Sequence, residues 1–241
     1  MRHVELLSVA LPLAVFLLAG CVPVQAPPPD SASTSAPPAD HSTSAEPGQT
    51  VALPRPCAQG TLTLEEALAQ RRSIRSFDDR LLTRAELGQL LWAAQGITSP
   101  AGQRTAPSAG ALYPLEVYAV TPDGVYRYLP TGHQLVRQVA GDVRSALATA
   151  ALSQSSVSDA PTVIVIAAVY ARTIQKYGQE RSPRYVHLEA GHAAQNVLLQ
   201  AVALGLGAVP IGAFHDEQVE AALRLPADQQ PLYLIPVGHS G

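Results

Sequence analysis

Lysine is almost missing from this chain: Lys176 is the only one in 241 residues. Acidic and basic residues nearly balance, 19 against 16, and no basic stripe forms. That argues against nucleic acid as a partner, because backbone binding needs a concentrated positive face. Cysteine is as scarce. Cys21 and Cys57 alone can build neither a disulfide framework nor a zinc site of thiolates. There is no Gly-x-Ser-x-Gly elbow, and Ser108 comes ahead of a strand pattern instead of joining a strand to a helix, so a serine hydrolase is excluded. Glycine-rich phosphate loops of the dinucleotide and nucleoside-triphosphate types are also missing. Glu189 and His192 stand at a metal-pair spacing, yet the di-iron arrangement needs a second copy that the chain lacks. With Gln195 and Asn196 they read better as a polar patch on a helix, bonding a ligand or neighbouring loops.

What is present begins with a targeting pattern. Residues 6–20 are almost wholly apolar, interrupted by Pro12, and end in Leu18-Ala19-Gly20-Cys21. The run is short for a membrane span. A secretory leader or a retained anchor would account for the apolar run alone, while the LAGC ending resembles the lipobox of bacterial lipoproteins. On that reading residues 1–20 are a signal peptide and Cys21 is lipidated, placing the protein outside the cytoplasm on a bacterial membrane. Residues 21–59, rich in Pro, Ser, Ala and Thr, read as a disordered tether with too little apolar surface to offset its ordering entropy. Residues 60–241 are long enough for one folded domain. Cys57, at the boundary, has no context for a nucleophile.

Within that domain, Thr63 can cap a first helix with Glu65 and Glu66 in its first turn, and Thr83 opens a second, where Glu86 three residues on completes a capping box. Leu64, Ala67 and Leu68 give the first an apolar stripe, and Gly96 ends the second. Residues 115–120 and 125–129 flank a Pro-Asp-Gly turn and predict a hairpin. Residues 139–152 read as a helix, and 162–169 as a central strand apolar on both faces. Residues 184–204 read as the longest helix, with Leu188 among its buried positions, and 216–223 as another helix. Residues 209–211 begin a short extended piece, and 232–237 form a last strand. The order lacks a βαβ repeat and predicts an α+β domain with a mixed sheet.

Two kinds of feature carry chemistry. Arg71, Arg72 and Arg75, with Ser73 between them, can neutralise a phosphate through planar, bidentate guanidinium bonds. They can equally form a solvated basic turn pairing with Asp78 and Asp79. Pro107-Ser108-Ala109-Gly110 and Ile211-Gly212-Ala213 are stretches of nearly bare backbone. Together, with no nucleophile, these features suggest a flat, phosphorylated cofactor.

The segments RRSIRSFDD, PSAGALYPLEVYAV, KYGQERSPRYVHLEAGHAAQNVLLQAVALGLGAVPIGAF and PLYLIPVGH, in this order, resemble the nitroreductase-like flavin superfamily. The nearest branch is the SagB-type dehydrogenases, which include thiazole- and oxazole-forming oxidases. The resemblance implies an α+β homodimer with a mainly antiparallel sheet and FMN at the subunit interface. It implies that Arg71, Ser73 and Arg75, supported by Arg72, hold the phosphate and ribityl end. Pro107, Ser108, Ala109 and Gly110 would close the pocket from the other subunit. Ile211, Gly212 and Ala213 would lie along the isoalloxazine, and Gly238 and His239 near the phosphate. A glutamate common in simple nitroreductases is replaced by Gly212. The basic residues usual beyond His239 are missing, which shifts phosphate binding toward the arginines.

Lys176-Tyr177 matches a pair that azole-forming members use for proton removal; the plain alternative is a polar loop at the pocket mouth. The implied activity is two-electron hydride transfer through flavin N5 with an unassigned small-molecule or peptide substrate. An azoline dehydrogenase and an inactive flavin-binding or scaffolding lipoprotein are the alternatives. Outside the cytoplasm NAD(P)H is scarce, so a quinol, partner protein or organic substrate is expected as donor.

Overall fold

The computed structural model describes residues 48–241. The leader, Cys21 and the tether up to residue 47 lie outside the described residues. The remainder of the segment read as tether is folded. Thr50–Ala52 forms strand β1, pairing with β4 (Gln134–Ala140), and Leu53 is buried in the same core as Leu87 and Leu135. Its amide donates to His133 O at 3.1 Å, and Cys57 N donates to Gln89 Oε1 at 2.8 Å. Val51 and Leu53 supply apolar surface that the surrounding Pro and Ser residues had masked.

The two Thr-x-x-Glu signals form complete capping boxes on α1 (Leu64–Gln70) and α2 (Arg84–Gln95). In α2 the Thr83 side chain accepts from Glu86 N at 3.2 Å, while Thr83 N donates to Glu86 Oε2 at 2.7 Å. Each such cap contributes about 1 kcal/mol. The two helices differ in what they bury. Leu87, Leu90, Leu91 and Ala94 of α2 enter the core, whereas α1 buries only Ala67 and leaves Leu64 and Leu68 60% and 52% exposed. Seven residues make two turns, too few to turn a whole stripe inward.

The predicted hairpin is β2 (Leu115–Thr121) with β3 (Gly124–Leu129). β3 continues into β4, so residues 139 and 140 belong to a strand, and the helix expected over 139–152 shrinks to α3 (Arg144–Ala150), followed by the short α4 (Ser155–Ser158). β5 (Thr162–Ala168) is buried at every position and lies between β2 and β7 (Gln230–His239). β6 (Leu206–Ala208) closes the sheet, in the order β1-β4-β3-β2-β5-β7-β6 with every strand pair antiparallel. α6 (Asp216–Leu223) covers the same face as α3 and α4.

β5 explains its own composition. Ile164, Ile166 and Ala168 pack into one core with α2 and the long helix α5 (Tyr170–Ala203), and Val163, Val165 and Ala167 pack into the other with α3, α4 and α6. Each buried Val or Ile contributes roughly 1.5–3 kcal/mol, so both faces of the sheet are anchored through this strand.

α5 starts fourteen residues ahead of the expected position (184 − 170) and is interrupted at Gly178, whose φ of 73° and ψ of 168° are non-helical. Ser182 Oγ donates to Gly178 O at 2.6 Å, and Pro183 follows. Gly178 and Pro183 disguise the first helical stretch as a loop, so Lys176 and Tyr177 ride on helix instead of loop. Leu188, expected inside, is 53% exposed; Val186, Ala190, Ala193 and Val197 make the buried face.

Candidate functional site

The arginine segment is fixed along one edge of the sheet. Ile74 N donates to Ala208 O at 3.0 Å, Ser73 bridges Ala208 in parallel, and Asp78 N donates to His239 O at 3.0 Å. Arg71, Arg72, Ser73 and Arg75 are thereby brought together with Gly238 and His239. Arg72, Ser73 and Arg75 are exposed and Arg71 is half-buried. Their bonds go to carbonyls: Arg72 Nη1 to Ala69 O at 2.9 Å and to Arg71 O at 2.8 Å, Arg75 Nη1 to Ser73 O at 3.4 Å. Among the described residues no carboxylate pairs with Arg71, Arg72 or Arg75. Asp78, the expected competitor, is held by Arg80, with Nη2 2.7 Å from Oδ2. Gly207 and Gly238 are small for packing reasons: a Cβ would stand 2.6 Å from Ile74 Cγ2 at the first and 2.6 Å from Pro161 Cδ at the second.

The Pro107-Ser108-Ala109-Gly110 stretch is a tight turn closed by a single 3₁₀ turn over Ala109–Ala111. Gly110 has φ 62°, and Ala111 and Tyr113 are also left-handed, at 55° and 46°. Such conformations cost a non-glycine residue free energy and persist where neighbours enforce them. Tyr113 N donates to Ser108 Oγ at 2.9 Å, locking the turn. A Cβ on Gly110 would stand 2.8 Å from Lys176 Nζ and 2.9 Å from Tyr177 Oη. The Lys-Tyr pair and the small-residue turn, 66 residues apart from Gly110 to Lys176 (176 − 110), therefore share one site. Tyr177 also packs on Tyr185, ring centroids 4.6 Å apart.

Ile211 is tied to β7, its N donating to Leu234 O at 2.8 Å. Gly212 and Ala213 are exposed, and a Cβ on Gly212 would meet nothing within 4 Å. Its bareness is thus not explained by packing against the described residues.

Register separates these pieces. The small-residue turn feeds β2 at Leu115, which aligns with Ala168 and, through it, Gln230. The arginine segment joins Ala208, which aligns with Val237 and, through it, Thr162. These are opposite ends of the seven-residue β5, six residues and roughly 20 Å apart along the strand. Gly212 follows the row of Ile211 and Leu234, between them.

The nitroreductase family model matches residues 68–239. This chain belongs to the nitroreductase family. The family consists of oxidoreductases that typically bind FMN. A protein named as a nitroreductase in Methanocaldococcus jannaschii is 46% identical over 183 residues, covering 73% of this chain and 91% of that protein. The trifolitoxin operon protein TfxC of Rhizobium leguminosarum bv. trifolii is 27% identical over 197 residues, 72% of this chain and 54% of its own length. A solved nitroreductase structure from Ralstonia eutropha JMP134 superposes with a TM-score of 0.72 at 32% identity, covering 80% of this chain and 90% of that one.

Behind the turn of this nitroreductase-family domain lies a polar network that motif reading missed. Glu189, 2% exposed, accepts from Gln95 Nε2 at 3.2 Å and bonds Ser108, and Gln95 Oε1 accepts from Arg104 at 3.0 Å. Glu189 had been grouped with His192 and Asn196, but His192 is exposed and Asn196 donates to Thr105 O at 3.3 Å, so the three do not converge. Arg172, four residues ahead of Lys176 on α5, bonds Tyr113 O at 3.0 Å and Glu116. Helical spacing hinted at Glu189; nothing local pointed to Gln95 or Arg104.

Burial pushes the Glu189 carboxyl above its ordinary range, against opposing hydrogen bonds from Ser108 and Gln95 and the charge of Arg104. A carboxyl raised in the folded state favours folding while protonated, and that stabilisation is lost as pH rises through its folded value. Glu189→Gln removes the ionisation. Relative to wild type, the variant is expected to gain stability as pH is raised from below 4.5, the ordinary value, to neutrality. Urea midpoints of both proteins across that range check it; a constant difference between them would refute the assignment.

Proposed function

We propose that the protein is an FMN-dependent oxidoreductase of the SagB-type branch, working as a homodimer with FMN at the subunit interface. The observation that carries the reading is the separation of the exposed arginines and the small-residue turn to opposite ends of one sheet. Two subunits related by a twofold axis would bring the turn of one to the arginines of the other. Exposed Leu64 and Leu68, beside an open groove of about 350 Å³ lined by Leu64, Trp92 and Leu199, offer apolar surface for such an association.

The residues present fit this cofactor. Guanidiniums bonded only to carbonyls retain capacity for a phosphate, and the open side of Gly212 leaves room for a flat ring. FMN, when bound, supplies two-electron redox chemistry, while the protein supplies position and electrostatics. In this reading Arg71, Ser73 and Arg75 hold the phosphate end, and Pro107, Ser108, Ala109 and Gly110 wall the pocket from the partner. In the same reading Lys176, as the neutral amine, would take a proton from a bound substrate, its Nζ lying close to Gly110. That contact also favours a second reading, azoline dehydrogenation on a peptide. A lipid anchor at Cys21 and an extracytoplasmic site belong to the same proposal and point to a donor other than NAD(P)H.

Purified protein is expected to be yellow and to release FMN on denaturation. Lys176→Ala should keep its flavin yet lose about 10²-fold or more in turnover, the usual scale of a lost acid–base group. Reduction and reoxidation of the bound flavin, followed by absorbance with a panel of donors and acceptors, measure this. A colourless protein that ignores added FMN would sink the proposal, and full turnover in the variant would remove Lys176 from the chemistry.

A further inference from the structure

A second polar cavity, of about 300 Å³, opens where the start of β2, the end of β3, the chain after α2 and the first turn of α5 meet. Three of the chain's 16 basic residues, Arg104, Arg127 and Arg172, line it together with one carboxylate, Glu116. Arg172 Nη2 lies 2.5 Å from Glu116 Oε1, while Arg127 Nη1 reaches only to 3.8 Å from Oε2. Among the described residues Arg104 has no carboxylate in contact: it donates to Gln95 and stacks over the Tyr113 ring at 4.4 Å. Even counting Glu189 behind Gln95, three guanidiniums face two carboxyls, one of them buried and resisting ionisation. Guanidinium stays protonated at any ordinary pH, so the excess positive charge cannot be shed. In a partly enclosed space it is screened less than on an open surface.

We propose that this cavity is a binding subsite for the carboxylate of a small organic anion, seated between Arg104 and Arg127 beside Glu116. Glu116 already shows that a carboxylate fits among these guanidiniums, and the planar fork of arginine suits a two-oxygen group. The volume falls at the small end of the range for ligand sites, which selects a compact molecule. Arg172 also binds Tyr113 O, and Tyr113 N binds Ser108, so an anion here abuts the turn that carries Gly110. The subsite stands on these contacts alone and does not depend on the flavin reading.

The test is calorimetric titration of the purified full chain with succinate and, separately, with inorganic phosphate, at low and high salt. Succinate is expected to bind, more weakly as salt rises. Arg127→Gln should weaken it about 10- to 100-fold, the scale of a lost charge-assisted bond, with Arg127→Lys intermediate. Glu116→Gln, which removes the competing carboxylate, should tighten binding. Thermal melts of each variant establish that it is folded. Absence of succinate binding in both wild type and Glu116→Gln overturns the proposal, as does binding indifferent to Arg127. Phosphate binding tighter than succinate overturns the carboxylate assignment.

Discussion

Arg71→Ala is expected to strip FMN from the protein and leave the fold intact. The side chain is half-buried beside the sheet edge and has no carboxylate to leave stranded when it is removed. On the proposed reading the substitution would remove a charge-assisted bond to phosphate, worth about 1.5–3 kcal/mol, or roughly 10- to 100-fold in flavin retention. Stability should stay within about 0.5 kcal/mol, as for most surface substitutions. Flavin retained per chain after desalting, with a thermal melt alongside, reads both quantities. Lys176→Ala in the same assay should retain its flavin, and equal loss in the two variants would collapse the division between holding and reacting groups.

A pair of glycine substitutions is expected to separate packing from binding. At Gly207 a methyl would stand 2.6 Å from Ile74 Cγ2 and 2.8 Å from Ile74 Cβ. A β-branched side chain has little rotamer freedom, so the backbone of the arginine segment must give way. Gly207→Ala should therefore lower stability by about 1–3 kcal/mol and release flavin as the segment shifts. At Gly212 a methyl meets no atom within 4 Å. Gly212→Ala should leave the melting temperature unchanged and, if the proposed ring position holds, weaken FMN, because the methyl would intrude on that face. Similar melts for both variants would refute the packing account of Gly207, and unchanged flavin affinity in Gly212→Ala would remove the ring from that face.

The parts of this structure that could be read from residues are those decided locally. Thr63 with Glu66 and Thr83 with Glu86 place two helix starts to the residue, and the apolar run of β5 identifies a strand buried on both sides. β4 escaped because its residues alternate only weakly, and pairing with β1 and β3, not its own composition, makes Val139 a strand residue. Gly178 and Pro183 concealed the first turns of α5, since breakers signal an end even where a helix resumes beyond them. Of the candidate site, the arginines, the small-residue turn and the Lys-Tyr pair were legible as motifs. The proximity of Gly110 to Lys176 was not, nor was the Gln95–Glu189 bond spanning 94 positions, because such contacts exist only once the sheet is assembled.

The three-residue strand at the start of the folded region also has a mechanical meaning. β1 is held to the rest of the sheet by β4 alone, through the pairs Thr50–Val136, Val51–Leu135 and Ala52–Gln134. Tension on the chain ahead of Gly48 would be taken first by these rungs and peel them away before it reached β5. β1 would then yield as a fuse between a pull from outside and the sheet behind it. Its release would bare the edge of β4, a template for pairing with another chain, so sustained load would be expressed as clustering before it is expressed as unfolding.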